Sequence, residues 1–186
     1  VSGIEVWVAE GTYLPGANRS DSFLPKPGVR VCGGFTGVET VRQQRDWNAH
    51  ETILSGDIAG DNCYHVVSAA GANPTAILDG VTISNGQATG GGELNNGGGV
   101  YAHNGGVTLA NATISNNQAG TYGGGVSTNN AGTAIVINSI FLNNSSAWHG
   151  GGFYIHSQTP NPSMAVNCVF TGNTAWRGGG ICIEGQ

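Results

Sequence analysis

Residues that could carry acid–base chemistry are few, and most of them lie in the first half of the chain. After Glu93, the only charged residues in the sequence are Arg177 and Glu184. Acid–base catalysis of bond cleavage commonly needs two carboxylates held close together. The second half cannot build such a site alone, so a carboxylate-based enzyme would have to use the side that carries Asp57 and Asp79. We predict a protein without catalytic residues.

One stretch, SGDIAGDN at Ser55–Asn62, is a candidate calcium site. Asp57, Asp61 and Asn62 supply the hard oxygen ligands that Ca²⁺ prefers. The stretch lacks the Asp-x-Asp-x-Asp-Gly order of a dedicated calcium loop, and a turn in which Asp caps backbone amides explains the same residues. We expect no cofactor, with Ca²⁺ at these three residues as the alternative.

Three aromatic residues stand at nearly constant distances before a glycine triplet. Trp148 and Trp176 come two residues before GGG, and Tyr122 comes one residue before it. If these positions lie in adjacent layers, offset stacking of the rings contributes about 1 kcal/mol per pair to stability beyond burial. The same rings, exposed along one edge, would form a platform for sugar rings. The structural role and the sugar-binding role both stay open.

The composition excludes several classes of partner. The chain has 186 residues, of which 33 are glycine and only 9% are charged, and its net charge is −5. No basic cluster could hold a phosphate backbone, so we expect no nucleic-acid partner. No apolar run approaches the ~20 residues of a membrane-spanning helix. Solubility then depends on Asn, Ser, Thr and Gln, which indicates an extracellular or cell-surface location.

The cysteines do not form a recognisable metal or redox motif. No C-x-x-C pair is present, so neither a zinc ribbon nor a thioredoxin-type site is indicated. Three disulfide pairings and a set of free thiols all stay open for Cys32, Cys63, Cys168 and Cys182.

The elements that position these residues come from a repeat. The triplet GGG followed by an apolar residue begins at Gly97, Gly123, Gly150 and Gly178, at intervals of 26, 27 and 28 residues. Segments around these triplets, such as VTISN and ATISN, alternate apolar and polar residues, which is typical of short strands. Short strands at this interval predict a parallel solenoid, in which each strand stacks on its copy in the next coil about 4.8 Å away.

Asparagine recurs at two positions of each regular coil. The corners of a solenoid need left-handed or bent backbone, which Gly and Asn adopt most readily. Asn at the same position of successive coils can also hydrogen-bond to the neighbouring coil. We therefore predict structural ladders formed by Asn111, Asn138 and Asn167, and by Asn117, Asn144 and Asn173.

Alternation along the strands predicts which side chains fill the solenoid. The expected core comprises Val6, Val8, Val31, Ile53, Ile77, Val81, Ile83, Leu109, Ile114, Phe141 and Phe170. A second inner face is expected to carry Val100, Val126, Phe153 and Ile181. Two rows are expected to point to solvent, namely Tyr101, Ser127, Tyr154 and Cys182, and His103, Asn129, His156 and Glu184. In the second row, His156 and Glu184 lie on adjacent coils and could pair.

The first third follows the repeat less closely. Val29, Ile53 and Ile77 lie 24 residues apart and indicate the opening coils, with loops at Pro15–Pro27 and Thr36–His50. The second loop holds much of the charge, could contain a helical turn, and could cap the first coil or lie along its side. We predict one domain over residues 1–186, with loop-rich coils at 1–75 and regular coils at 76–186.

The repeat resembles a known group of bacterial surface proteins. FLNN and FTGN, each followed by GGG and an apolar residue, are similar to the FxxN and Gly-Gly-small-apolar motifs of the chlamydial polymorphic outer-membrane proteins, although Gly stands here where that motif has Ala. The opening VWVAEGTYLP…QRDW…TILSGDI resembles the N-terminal part of the same secreted proteins. The resemblance implies an all-β fold, a right-handed single-stranded parallel β-helix of about seven coils. It also implies a bacterial surface or secreted module, in some relatives an adhesin.

Two classes of function follow as expectations. We predict a non-catalytic extracellular module with a structural or adhesive role. The alternative is a carbohydrate-binding or polysaccharide-processing β-helix protein, similar to pectate lyases, with surface glycans as partners. The sequence begins at Val1 without a signal segment and ends partway through a coil at GGGICIEGQ. We therefore expect further repeats, or head-to-tail self-association into a filament, at that end.

Overall fold

The computed structural model describes residues 3–157 and 162–185. These residues form 22 short strands and two 3₁₀ helices, the latter at Arg42–Gln44 and Gly92–Asn95. The strands are, in chain order, β1 (Ile4–Ala9), β2 (Gly11–Tyr13), β3 (Val29–Phe35), β4 (Thr52–Ser55), β5 (Asp57–Ile58), β6 (Asp61–Asn62), β7 (Val67–Ser68), β8 (Ile77–Asp79), β9 (Thr82–Ser84), β10 (Gln87–Ala88), β11 (Val100–His103), β12 (Gly106–Ala110), β13 (Thr113–Ser115), β14 (Gln118–Ala119), β15 (Val126–Asn129), β16 (Thr133–Ile137), β17 (Ile140–Leu142), β18 (Ser145–Ser146), β19 (Phe153–Ser157), β20 (Met164–Val166), β21 (Val169–Thr171) and β22 (Ile181–Gly185).

Strands of successive coils pair in parallel and build three main faces. Sheet A has the order β1-β3-β8-β12-β16-β20, sheet B has the order β2-β4-β9-β13-β17-β21, and sheet C has the order β7-β11-β15-β19-β22. A small sheet, β10-β14-β18, continues sheet B around the next corner. The two six-stranded sheets define six coils, close to the seven that the sequence predicted. The prediction of an all-β parallel solenoid is therefore confirmed.

The core lies between the three sheets and consists mainly of aligned aliphatic side chains. Phe141 in sheet B stacks on Phe170 of the next coil, with ring centroids 4.5 Å apart, and faces Phe153 of sheet C at 5.9 Å. The predicted core residues that are buried are Val81, Ile83, Val100, Leu109, Ile114, Val126, Phe141 and Phe153. Their alignment follows from the register, since each core position pairs with its copy one coil away.

The prediction of the core was wrong in the opening coils by one residue. Ile53 and Ile77 are only half-buried, whereas the neighbouring Leu54 and Leu78 are 6% and 3% exposed. A slip of one position turns every side chain of a strand to the other face. Both segments hold two consecutive apolar residues, so alternation alone did not decide between them.

Several expected core residues lie at the two ends of the described solenoid and are not fully covered. Val6 in β1 is 45% exposed and Ile181 in β22 is 39% exposed, because each of these strands has a neighbour on one side only. Val8, Val31 and Phe170 are half-buried.

A ladder of asparagine side chains runs inside the solenoid beside sheet B. Asn144 Nδ2 donates to Ile114 O at 2.8 Å and to Asn173 Oδ1 at 2.9 Å. Its Oδ1 accepts from both the backbone N–H and the side-chain amide of Asn117, at 3.1 and 3.0 Å. Asn117 and Asn144 are 1% and 0% exposed, so these bonds form out of contact with water. The Asn144 amide thus satisfies two backbone groups of the preceding coil and also links the amides of Asn117 and Asn173.

A second asparagine position forms the corner between sheets A and B. Asn111, Asn138 and Asn167 have φ values of 49°, 51° and 52°, in the left-handed region. Asn167 Nδ2 donates to Asn138 Oδ1 at 2.8 Å, and Asn111 Nδ2 donates to Asp79 Oδ1 at 2.8 Å. Asn tolerates this backbone conformation better than other residues with a side chain, which explains its recurrence here.

A buried ion cluster fastens the 36–51 loop to this corner. Asp79, whose side chain is 5% exposed, lies 2.8 Å from Arg45 Nη2 and 2.9 Å from Arg30 Nη1. Burial would raise the pKa of the Asp79 carboxyl, but hydrogen bonds from Asn111 and Arg45 outweigh it and hold the pKa below its usual value. The loop contains the expected helical turn and lies along the side of the solenoid.

The four cysteines are free thiols in this structure. Cys32 and Cys63 are fully buried, and burial raises the pKa of the Cys63 thiol to about 11. Such a thiol stays protonated at neutral pH and is a poor nucleophile.

We predict that Asn144→Ala destabilises the protein far more than Asn48→Ala. The first change leaves the buried Asn117 N–H without its acceptor and removes the amide that donates to the Ile114 carbonyl, which costs about 2–4 kcal/mol in the free energy of unfolding. Asn48 is exposed, so its removal should cost less than about 0.5 kcal/mol. Urea unfolding followed by circular dichroism measures both. Similar losses for the two variants would contradict the role of the ladder.

We predict that Asp79→Asn lowers stability at neutral pH and weakens its dependence on acid. Because the folded-state pKa of Asp79 lies below the unfolded value near 3.8, the unfolded chain binds the proton first as the pH falls. The stabilisation is complete above that pH and is lost as the pH drops through the folded-state pKa. Unfolding curves at pH 7 and pH ~3 should show about 3 kcal/mol lost in the variant at pH 7. The exposed carboxylate variant Asp57→Asn should keep the wild-type acid response; an unchanged response in Asp79→Asn would refute the prediction.

Candidate functional site

The two tryptophans predicted as a platform meet on the surface, but they are not stacked. The ring centroids of Trp148 and Trp176 lie 6.0 Å apart with an interplanar angle of 79°. The expected offset stack is therefore wrong, because Trp176 instead lies nearly parallel to His149, with an interplanar angle of 19°. Trp148 and Trp176 remain 53% and 65% exposed. The pair forms two nearly perpendicular walls of an open corner.

Tyr122 joins this group through the outer face of sheet C. Its ring stacks on Tyr154 at 4.5 Å with an interplanar angle of 13°, and it lies 5.4 Å from His149 of the next coil. A parallel bridge pairs the backbones of Tyr122 and His149. We call Tyr122, Trp148, His149, Tyr154 and Trp176 the aromatic cluster.

Three side chains of a row that the sequence predicted to be in solvent are buried. Tyr101, Ser127 and Tyr154 are 5%, 0% and 3% exposed. They do point away from the core, but the glycine corner that precedes the strand passes close to them. A Cβ at Gly123 would lie 2.7 Å from the Cβ of Ser127. The expectation of a solvated face is therefore wrong for this row.

The carboxylate of Glu184 lies beside the aromatic cluster. Tyr154 Oη donates to Glu184 Oε2 at 2.7 Å, and His149 Nδ1 lies 3.0 Å from Oε1. The Tyr154 hydrogen bond is the main cause of the lowered pKa of Glu184, and burial together with this carboxylate raises the pKa of Tyr154. The sequence suggested His156 as the partner of Glu184; the two are paired in register, but the carboxylate turns to Tyr154 and His149 instead.

His149 lies at the base of the cluster and is 6% exposed. Its Nδ1 faces Glu184 at ion-pair distance without good hydrogen-bond alignment, and its Nε2 has no hydrogen-bond partner among the residues that the structure describes. A buried polar atom without a partner is uncommon in folded proteins. The imidazole therefore keeps hydrogen-bonding capacity next to the two exposed indoles.

Arg177 adds a positive charge to the rim. Its guanidinium carbon lies 4.4 Å above the ring of Trp176, and the side chain is exposed. It is the only Lys or Arg after Arg45 in the sequence. Tyr122, His149 and Arg177 all stand immediately before a GGG, so sequence reasoning could have found the last two from that shared position.

The candidate calcium residues do not converge on one point. β5 and β6 pair antiparallel, with Asp57 opposite Asn62 and Ile58 opposite Asp61. This register puts the Asp57 and Asn62 side chains on one face of the hairpin and Asp61 on the other, where it lies 3.4 Å from Arg19 Nε. Within residues 3–157 and 162–185, no three His, Cys, Asp or Glu side chains form a metal-binding group. Calcium binding by the two carboxylates and one amide stays a prediction.

A comparison with protein families matches most of the chain. Residues 47–186, three quarters of the sequence, match the family model described as a right handed beta helix region. The match contains the whole aromatic cluster and the inner asparagine ladder. No curated protein and no solved structure matches the chain. Among the described residues, no helix has the length and apolar character needed to cross a membrane.

We predict that Tyr154→Phe raises the pKa of Glu184, because the variant lacks the O–H that donates to the carboxylate. The pKa can be followed by NMR titration of the Glu side-chain carboxyl carbons. Tyr101→Phe is the matched control, since Tyr101 occupies the same row two coils earlier and its hydroxyl lies beside His103. A Glu184 pKa that is unchanged in Tyr154→Phe would show that the hydrogen bond does not hold the carboxylate.

Proposed function

The chain belongs to the right-handed β-helix family, and we propose that it is a non-catalytic extracellular adhesive module that binds carbohydrate through the aromatic cluster. The observation that carries this proposal is the pair of adjacent indoles, each more than half exposed. Large apolar side chains that lie together on a surface usually mark a binding site.

The geometry of Trp148 suits a sugar ring. Its contacts with His149 and Trp176 are both edge-type, at interplanar angles of 67° and 79°. No ring among the described residues therefore lies flat against its indole face. A pyranose ring presents an apolar face of C–H groups that packs on such an indole, while its hydroxyls point sideways. Trp176, nearly perpendicular, would contact the edge of the same ring.

Polar groups around the indoles suit the hydroxyls of a bound sugar. Arg177 is exposed at the rim and offers donors, and the half-buried Glu184 offers acceptors. Nε2 of His149 also has no partner among the described residues, but it is buried and not accessible to a sugar in this structure. Sites of this kind combine a few aromatic surfaces with a few convergent polar groups that fix orientation.

A non-catalytic role is supported by the carboxylates near the cluster. Hydrolysis of a glycosidic bond commonly uses two carboxyl groups about 5–9.5 Å apart. Glu184 is the only Asp or Glu after Glu93, and it is hydrogen-bonded to Tyr154. In the first half of the chain, the Asp79 carboxylate is ion-paired with the guanidinium groups of Arg30 and Arg45. An extracellular location, on a bacterial surface by the resemblance of the repeat, is supported by the low charge and the many uncharged polar residues.

The edge of the last described coil bears on the predicted self-association. Val169 and Ile183 are 56% and 65% exposed there, and β22 is paired on one side only. Another coil, from the same chain or from a second copy, could pair with this edge. Self-association stays a prediction, and light scattering over a range of concentrations measures it directly: a constant monomer mass would contradict it.

We predict that Trp148→Ala weakens glycan binding at least tenfold. Loss of the stacked ring removes about 1.5 kcal/mol or more of binding free energy, counting contact area and stacking together. A glycan array identifies ligands for the wild type, and titration calorimetry then measures their affinities. Trp148→Phe, which keeps an aromatic face, should lose less, and Val38→Ala, at a distant exposed position, should lose nothing. Wild-type affinity in Trp148→Ala, or no binding to any glycan on the array, would reject the proposed function.

A further inference from the structure

A second concave surface lies at a different corner of the solenoid, between sheets A and B. We call it the corner groove; it has a volume of about 300 Å³ and is bounded by the 36–51 loop on one side and by three successive coils on the other. This volume is at the lower end of the range for small-ligand sites. The residues that matter here are Trp47, Asn48, Glu51, Asn111, Thr113 and Asn138.

The floor of the corner groove presents uncharged hydrogen-bonding groups at the spacing of the coils. Asn111 and Asn138 occupy the same corner position in successive coils, and Thr82 and Thr113 are paired in register. Equivalent groups therefore recur about every 4.8 Å along the groove. Such a row, unlike an isolated polar patch, can make the same contact with successive units of a repeating ligand.

Part of this hydrogen-bonding capacity is unused within the described residues. Asn111 donates its amide to Asp79, which leaves Oδ1 as a free acceptor. Asn138 accepts from Asn167 through Oδ1, which leaves Nδ2 as a free donor. The side chain of Asn48 is exposed and makes no hydrogen bond to a described residue. The groove thus offers both donors and acceptors to a ligand.

The wall of the groove is held in place before any ligand binds. The Arg45 guanidinium carbon lies 4.6 Å from the centre of the Trp47 ring, and Arg45 itself is fixed by Asp79. The backbone of Trp47 passes so close to Gly34 that a Cβ there would lie 2.6 Å from its nitrogen. A fixed wall reduces the entropy lost on binding.

The charge of the groove restricts the class of ligand. Glu51 is the only charged residue in its lining, and its Oε1 accepts a hydrogen bond from Thr82 Oγ1 at 2.6 Å. Among the residues that the structure describes, no basic side chain lines the groove to receive a phosphate or a carboxylate. An anionic ligand is therefore disfavoured, whereas a neutral ligand rich in hydroxyls could use Glu51 and the amides together.

We propose that the corner groove is a second binding site, which takes a neutral oligosaccharide lying along the solenoid axis with one sugar ring against Trp47. The step between coils is comparable with the length of one pyranose unit, so successive sugars meet successive coils. An extended peptide advances only about 3.3 Å per residue and would lose this match after one or two residues. The site is independent of the aromatic cluster, and either site can fail without the other.

The test measures binding of neutral β-1,4-linked glucose, mannose and xylose hexasaccharides to the 186-residue chain by titration calorimetry, with oligogalacturonate as the anionic comparison. Asn48→Ala and the isosteric Thr113→Val should each weaken binding of the neutral hexasaccharide about three- to tenfold, and Trp47→Ala should weaken it more than tenfold. Val38→Ala, at an exposed position outside both sites, should leave this binding unchanged. Trp148→Ala is measured alongside to detect any binding of the same ligand at the aromatic cluster. Amide NMR shifts on titration should centre on the coils around Thr113 and Asn138.

Three results would overturn the inference. These are an unchanged affinity in Asn48→Ala and Thr113→Val, tighter binding of oligogalacturonate than of every neutral hexasaccharide, and no binding of any neutral hexasaccharide to the wild type. Since Trp47→Ala could disturb the loop, the two milder variants carry the decision, and their unfolding curves confirm that they are folded. Loss of hexasaccharide binding in Trp148→Ala alone would assign the ligand to the aromatic cluster and reject the groove.

Discussion

The inner asparagine ladder is the interaction on which the other features of the coil depend. Asn117, Asn144 and Asn173 each bind backbone groups of a neighbouring coil, so a coil cannot slide without leaving buried amides unpaired. The glycine triplet belongs to the same constraint. A Cβ at Gly99 would come within 2.8 Å of Asn117 Nδ2, so only glycine lets the corner approach the ladder. FxxN and GGG recur together because the asparagine of one motif packs against a glycine of the other.

This fixed register also aligns the residues that precede each triplet. Tyr122, His149 and Arg177 follow one another at a single corner, linked by parallel bridges. Because the corner turns back over the outer face of sheet C, their side chains meet those of the strand, as Tyr122 meets Tyr154. The aromatic cluster thus results from scaffold geometry together with the residue types at the two positions before the triplet and in the strand that follows it. His149 stacks on Trp176, which leaves Trp148 edge-on to both and its face open.

The sequence predicted the solenoid, its parallel sheets and most of its core, because these depend on spacing and alternation, which the repeat displays directly. It failed at Ile53 and Ile77, where no triplet marks the register and two apolar residues adjoin. It also failed at the Tyr101–Tyr154 row, because burial there depends on the path of the preceding corner. The contact of Arg45 with Asp79 joins residues 34 positions apart across a loop without repeat, and nothing local announces it. The Glu184 side chain bonds to Tyr154 rather than to His156, and this preference likewise depends on three-dimensional packing.

Both candidate sites include residues that depart from the repeat of the chain. At the position of Trp148 and Trp176, the earlier coils carry Asn95 and Thr121, and the wall of the corner groove comes from a loop that has no copy in later coils. The ladder and the glycines hold the backbone without help from these outward side chains, so such positions can vary at little cost to stability. Our proposal of ligand binding rests on such residues, because the fold does not require them and they place exposed indoles beside polar groups. In the aromatic cluster the two roles are therefore separate, since the recurring residues hold the coils together and the indoles stand outside the repeat, whereas the corner groove combines a recurring floor with a wall that does not recur.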